Sequence, residues 1–255
     1  MNSSIMRPIA LLFAVFIVPL PLPAQQTIAA EDIISQINEN QPVNLSGVTV
    51  IGDLRLVDVA NQHLENSRSN IYDSQDIYHC VVEVPLLFEN CTFTGDIVGF
   101  ENLEQEDKVL NAFMEQGVVF RNCTVEGEML MKYAEFEREA DFSNTRFLDY
   151  AQFKYTSFAQ VANFNRSEFN DEACFKYTDF REMVNFQQSA FYDEANFKYT
   201  KFTAGVNFSN VQFDNFANFK YTKFRDPFSM DGARFSENGN FKYTTLNGQT
   251  FKPGY

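Results

Sequence analysis

The 255-residue chain reads as an all-β protein, a four-sided parallel β-helix whose short strands coil around stacked phenylalanines. Three observations predict this. An eight-residue motif recurs every 22 residues: AQFKYTSF from Ala151, ACFKYTDF from Ala173, ANFKYTKF from Ala195 and again from Ala217, and GNFKYTTL from Gly239. Large apolar residues fall at steps that alternate between 5 and 6, from Phe136, Phe142 and Phe147 through Phe241 and Leu246, closing on Phe251 with a step of 5. The residue two before each large one is small, as at Ala151, Thr156, Ala162, Ser167, Ala173 and Thr178.

Each observation has a physical reading. A helix calls for apolar residues 3 and 4 apart, and a long half-buried strand for every second residue. A step of 5 or 6 instead fits a chain that runs briefly extended, turns a corner and sends one large residue inward per side. Four such sides make a coil of 22, and equivalent positions then stack at strand spacing, about 4.8 Å. Two-residue alternation points the small residue inward beside the phenylalanine. Each fully buried Phe contributes about 1.5–3 kcal/mol, and the chain has 29 Phe and no Trp.

These residues resemble the pentapeptide-repeat family in an 11-residue-spaced, Phe-rich variant, written roughly A-x-F-x-x-A/S/T-x-F. The resemblance is strong over 136–251 and loose over 43–135. It implies a right-handed four-sided β-helix. Phe228 departs from it, placing a large residue in a small slot with Met230 in the large one, which reads as a local size swap or a bulge.

Upstream the coil is expected to be irregular. Asn44–Leu54 resembles the family's opening coil, and Asn61–Asn70 reads as a polar loop. FENCTF from Phe88 and FRNCTV from Phe120 look like one side of successive coils. Their 32-residue separation leaves about ten residues over a 22-residue coil. Glu101–Gln116 is the expected insert, a helix with Leu103, Val109, Leu110 and Phe113 on one face. Residues 27–40 suit a short helical cap with Thr27 as N-cap and Ile33, Ile34 and Ile37 buried, covering an edge that would otherwise invite aggregation.

Three segments follow: an export signal over 1–24, a cap with irregular coils and a helical insert over 25–135, and a regular solenoid over 136–255. Arg7, the apolar run Ile9–Leu20 and Ala24 have the layout of a cleaved signal. The apolar run is short for a membrane span, and no later segment matches one, so the expected location is a periplasm, a comparable lumen or the cell exterior. Residues 25–135 hold 5 basic and 19 acidic residues, whereas 136–255 hold 14 and 15. Some pentapeptide-repeat proteins mimic DNA and bind gyrase, which needs an acidic solenoid in the cytoplasm. Export and the near-neutral repeats both oppose that alternative and any nucleic-acid partner.

No catalytic, metal or cofactor site is legible. His63 and His79 match no zinc spacing, and there is no phosphate-binding Gly-rich loop. A β-helix that binds or cleaves polysaccharide stays as an alternative to a non-catalytic scaffold with an unknown protein or polymer partner. The candidate interaction strip is what FKYT places outside: Lys154, Lys176, Lys198, Lys220 and Lys242 in one column, and Tyr155, Tyr177, Tyr199, Tyr221 and Tyr243 in the next. Stacked tyrosines would also stabilise neighbouring coils. Asp149, Asp171, Asp193, Asp214 and Glu237 are expected to neutralise part of the lysine column from an adjacent corner. Cys91 and Cys123, both in small inward slots, are expected as stack neighbours, either bridged or as thiols.

Overall fold

In the computed structural model, residues 26–65, 75–237 and 239–253 are described, so the export signal and most of the loop around residue 70 lie outside the described residues. The first described elements are β1 (Gln26–Ala29) and α1 (Ala30–Asn38). Four faces then follow in order. Face one opens with β2 (Val43–Ser46), face two with β3 (Val48–Ile51) and face three with β4 (Leu54–Arg55). Face four opens with a hairpin of β5 (Gln62–Leu64) and β6 (Asp76–Val82). The next coil repeats them as β7 (Leu86–Glu89), β8 (Thr92–Phe93), β9 (Ile97–Val98) and a second hairpin, β10 (Phe100–Leu103) with β11 (Lys108–Met114).

Parallel pairing stacks each face on itself. Val43 pairs with Leu86, Leu86 with Val118 and Val118 with Ala140, so the coil shortens from 43 to 32 to 22 residues. From there 22 is constant: Ala151 pairs with Ala173, Ala195 and Ala217 in turn, and Phe158 with Phe180 and Phe202. The architecture is the right-handed four-sided parallel β-helix read from the sequence, with its helical cap.

From Phe136 to Phe224 the inward phenylalanines are fully buried and stack along each face, at 4.9 Å for Phe164 on Phe186 and 5.0 Å for Phe175 on Phe197. Rings on opposite faces meet edge to face, as Phe175 does with Phe186 at 85°, the geometry a ring quadrupole favours. The small slots divide into two kinds. Ala140, Ala151, Ala162, Ala173, Val184, Ala195 and Val206 are apolar, whereas Thr145, Thr156, Ser167, Thr178, Ser189 and Thr200 carry a buried hydroxyl. Each hydroxyl donates to the carbonyl of a large inward residue 25 positions back, Thr178 to Phe153 and Ser189 to Phe164 among them. Those hydroxyls follow a left-handed corner and give the carbonyl a second donor beside a backbone N–H, as Thr156 N–H gives Phe153 and Ser167 N–H gives Phe164, so they are hydrogen-bonded rather than merely small.

Several expectations change. Thr27 does not cap the helix. It lies in β1, paired with Thr49, and the helix starts after Ala29 without a side-chain cap. Ala30, Ile33 and Ile37 are buried against the first coil as expected, and Ile34 is half-buried. The insert is a β-hairpin rather than a helix. Seven residues of β11 pair with seven of β6, and β10 returns antiparallel to β11. A helix there would leave the backbone of Asp76–His79 unpaired on its exposed edge, and tertiary pairing outweighs the weak helical pattern. The expected loop is likewise partly strand, since Gln62–Leu64 pairs with Tyr78–Cys80.

Phe228 stays in register opposite Val206, so the irregularity is a size swap without a bulge. Phe251 is not the next rung of the ladder. An antiparallel turn from Thr245–Leu246 to Gln249–Thr250 brings it back over Phe224, Phe228 and Phe241, covering the last coil.

Candidate functional site

Between faces three and four, every regular coil turns a corner at a lysine–tyrosine pair. The tyrosines occupy the left-handed region, with φ between 58° and 63°. A bulky residue there costs about 1–2 kcal/mol. The left-handed turn throws the tyrosine ring outward, where it stacks on the ring one coil away. Centroids are 4.6–4.8 Å apart and planes 1–16° from parallel. The five predicted tyrosines therefore form one outer column.

The column is longer than the sequence reading made it. Lys132 and Tyr133 are its first rung, and Phe100 packs on Tyr133 at 5.8 Å. The signal was present in Met129-Leu130-Met131-Lys132-Tyr133-Ala134, 22 residues before the first FKYT copy, with Met131 in the phenylalanine slot. Each lysine ammonium lies over the ring that follows it, from 5.0 Å at Lys242 to 5.3 Å at Lys176. Burial, and then the neighbouring Lys154, hold Lys132 below the ordinary lysine range.

The acids do not neutralise this column. Among the described residues, Lys154, Lys176, Lys198, Lys220 and Lys242 make no ion pair. Asp149, Asp171 and Asp193 sit before face three, on its opposite edge from the lysines, and build a carboxylate column of their own. Burial and then Glu194, Asp171 and Asp193 push the Glu172 carboxyl above the usual range. Repulsion between neighbouring lysines at strand spacing in water is under about 1 kcal/mol, so an unpaired basic column is tolerable.

With that geometry in place, a family comparison becomes informative. The family model described as "Pentapeptide repeats (9 copies)" matches residues 153–201 and 197–245. Residues 153–245 are thus similar to pentapeptide repeats. No curated protein matches the chain. The pentapeptide-repeat match begins at Phe153, yet the same four faces stack from β2 onward, so the coil geometry extends well upstream of the matched segment. Within the repeats, the tyrosine corner takes one residue of each FKYT copy.

Cys91 and Cys123 are stack neighbours, as expected. Thr92 pairs with Thr124, and the Thr124 N–H donates to the Cys91 carbonyl. Both are buried free thiols, each within reach of two backbone carbonyls. Their shared hydrogen bond lowers Cys91 and, together with burial, holds Cys123 up. Cys80 and Cys174 are also buried thiols, and burial pushes Cys80 up to about 12.

The histidines are closer together than the sequence suggested. His63 and His79 face each other across the β5–β6 hairpin. The His79 ring stacks on Phe113 at 5.6 Å, and its Nε2 is 3.5 Å from Glu65. Among the described residues, no cluster of His, Cys, Asp and Glu could hold a metal ion, and no helix is long and apolar enough to cross a membrane.

Proposed function

We propose that this protein is an exported, non-catalytic binding scaffold, and that its lysine–tyrosine corner is the surface that engages an anionic polysaccharide. The observation that supports this reading is the column itself. Six tyrosines occupy a backbone state that disfavours them, beside lysines that no carboxylate pairs. The stacked rings present their edges and hydroxyls, which offer a polyhydroxylated chain a hydrogen-bond partner at each rung, and the ammonium groups answer carboxylates or sulfates along it. Such a surface needs no pocket, which suits a repeating ligand on a repeating protein.

Immobilised polygalacturonate is a direct probe. The protein should be retained at low salt and released as ionic strength rises. A Lys176→Glu/Lys198→Glu/Lys220→Glu variant should pass through. Retention of that variant equal to the natural chain would sink the strip reading. Fusing residues 1–24 to a reporter that is active only outside the cytoplasm tests export separately, and a silent reporter rejects it.

A further inference from the structure

Where the second hairpin leaves the coil, it overhangs the first rungs of the tyrosine column. Gly99 marks the departure, since a Cβ there would lie 2.5 Å from the Met131 sulfur. The overhang and face four enclose a cleft of about 470 Å³, lined by residues that include Phe100, Asn111, Lys132, Tyr133, Tyr155 and Arg181. That volume falls in the range of roughly 300–1,000 Å³ typical of small-ligand sites.

Two features of the cleft point to a ligand. The first is Asn111, only 8% exposed, which lines the cleft and makes no side-chain hydrogen bond to protein. Its Oδ1 is enclosed with no donor, a state that costs about 1–3 kcal/mol if left uncompensated. The second is the lining chemistry. Aromatic faces, the Lys132 ammonium 4.4 Å over Phe100, an arginine, a serine and the carboxylates Glu65 and Glu135 meet around one space. The Asn111 Nδ2, which has no protein acceptor among the described residues and is not enclosed as the Oδ1 is, can donate to a ligand oxygen in the cleft. A ring bearing many hydroxyls, with one apolar face and a carboxylate, answers the whole set.

We infer that this cleft seats the terminal sugar of the acidic polysaccharide that the corner column carries, so that the chain binds in one direction with its end held under the β10–β11 overhang. This rests on the proposed function of the column and adds a stop to it. The tyrosines of the cleft, Tyr133 and Tyr155, are the first two rungs of the strip, so a chain leaving the cleft passes directly onto the column.

Calorimetry with digalacturonate and polygalacturonate on the whole protein tests it. The disaccharide is too short to span the strip, and it should bind one to one. Asn111→Leu and Arg181→Ala should each weaken it tenfold or more, whereas Arg234→Ala, exposed on face two and outside both cleft and column, should leave it unchanged. Arg181 is exposed, so its variant guards against a folding defect in the other. Disaccharide binding that survives both cleft substitutions, or that Arg234→Ala abolishes, overturns the inference. Polymer binding without disaccharide binding overturns it while leaving the strip in place. Disaccharide binding without polymer binding overturns the strip, and with it the directional seat.

Discussion

Each regular coil turns two corners through the same left-handed backbone state, and the two are filled by opposite rules. Between faces one and two the positions are Asn122, Asn144, Arg166, Gln188, Asn210 and Gly232, a drifting mixture. Between faces three and four they are Tyr133, Tyr155, Tyr177, Tyr199, Tyr221 and Tyr243 without exception. The mixed corner shows what the backbone requires, which is tolerance of positive φ. Asn and Gly meet it at least cost. The tyrosine corner accepts a penalty of about 1–2 kcal/mol per turn, and ring stacking returns about 0.5–1.5 kcal/mol of it. The balance is near zero, so stability alone does not account for tyrosine at every turn.

If the corners differ only outside, the core beneath them should respond equally. Phe186→Ala, under the mixed corner, and Phe197→Ala, under the tyrosine corner, should each cost about 3–5 kcal/mol in denaturant melts. A loss confined to Phe197→Ala would mean that the tyrosine corner owes its form to the interior. The buried hydroxyls make a second matched pair. Thr178→Val and Ser189→Ala remove the second donor to the carbonyls of Phe153 and Phe164, which keep the backbone N–H of Thr156 and Ser167, and should each cost about 0.5–1.5 kcal/mol. If one is harmless, the two kinds of corner do not share the same hydrogen-bond need.

The outer positions sharpen the contrast. Tyr199→Asn relieves a strained turn and removes a stack, so its stability should stay within about 1 kcal/mol of the natural chain. Its retention on polygalacturonate should fall. Gln188→Asn should be at least as stable and bind unchanged, and equal binding loss at both corners would erase the distinction drawn here. The smallest effect concerns the acidic column. Glu172 has a raised folded-state pKa, so its ionised form opposes folding, and that penalty sets in as pH rises above the ordinary glutamate value. Glu172→Gln should therefore stabilise by under about 0.5 kcal/mol at pH 7, and the gain should vanish near pH 3, where both side chains are neutral. A gain that persists in acid would rule out ionisation as its cause.

How far the sequence could be read follows from where periodicity is strong. From Phe136 to Phe224 each phenylalanine makes its own statement about inside and outside, and stacking propagates it from coil to coil. The coil, its register and the tyrosine column were therefore legible. Lys132 and Tyr133 escaped because Met129 and Met131 stand where the motif has Ala and Phe. The hairpin at Phe100–Met114 escaped for a different reason. Its strands are specified by an equally irregular neighbour, Asp76–Val82, and not by any local pattern. Asn111 is inconspicuous for the same cause, since only the overhang turns an ordinary asparagine into an enclosed amide. The division of the small slots into hydroxyl and apolar kinds was visible in Thr156, Ser167 and Thr178 against Ala151, Ala162 and Ala173. Its meaning needed the corner carbonyls.

The tyrosine rings stand one per coil, and the coil advances by the hydrogen-bonded distance between parallel strands. Their 4.6–4.8 Å spacing is therefore set by the peptide backbone and cannot be retuned by substituting side chains. A periodic ligand laid along such a grating gains with every rung only if its own repeat is commensurate with that pitch. A chain of any other period slips out of phase within a few rungs, however well each of its units fits one ring. Pitch then becomes a selection rule independent of chemistry, and one that grows stricter with each coil added.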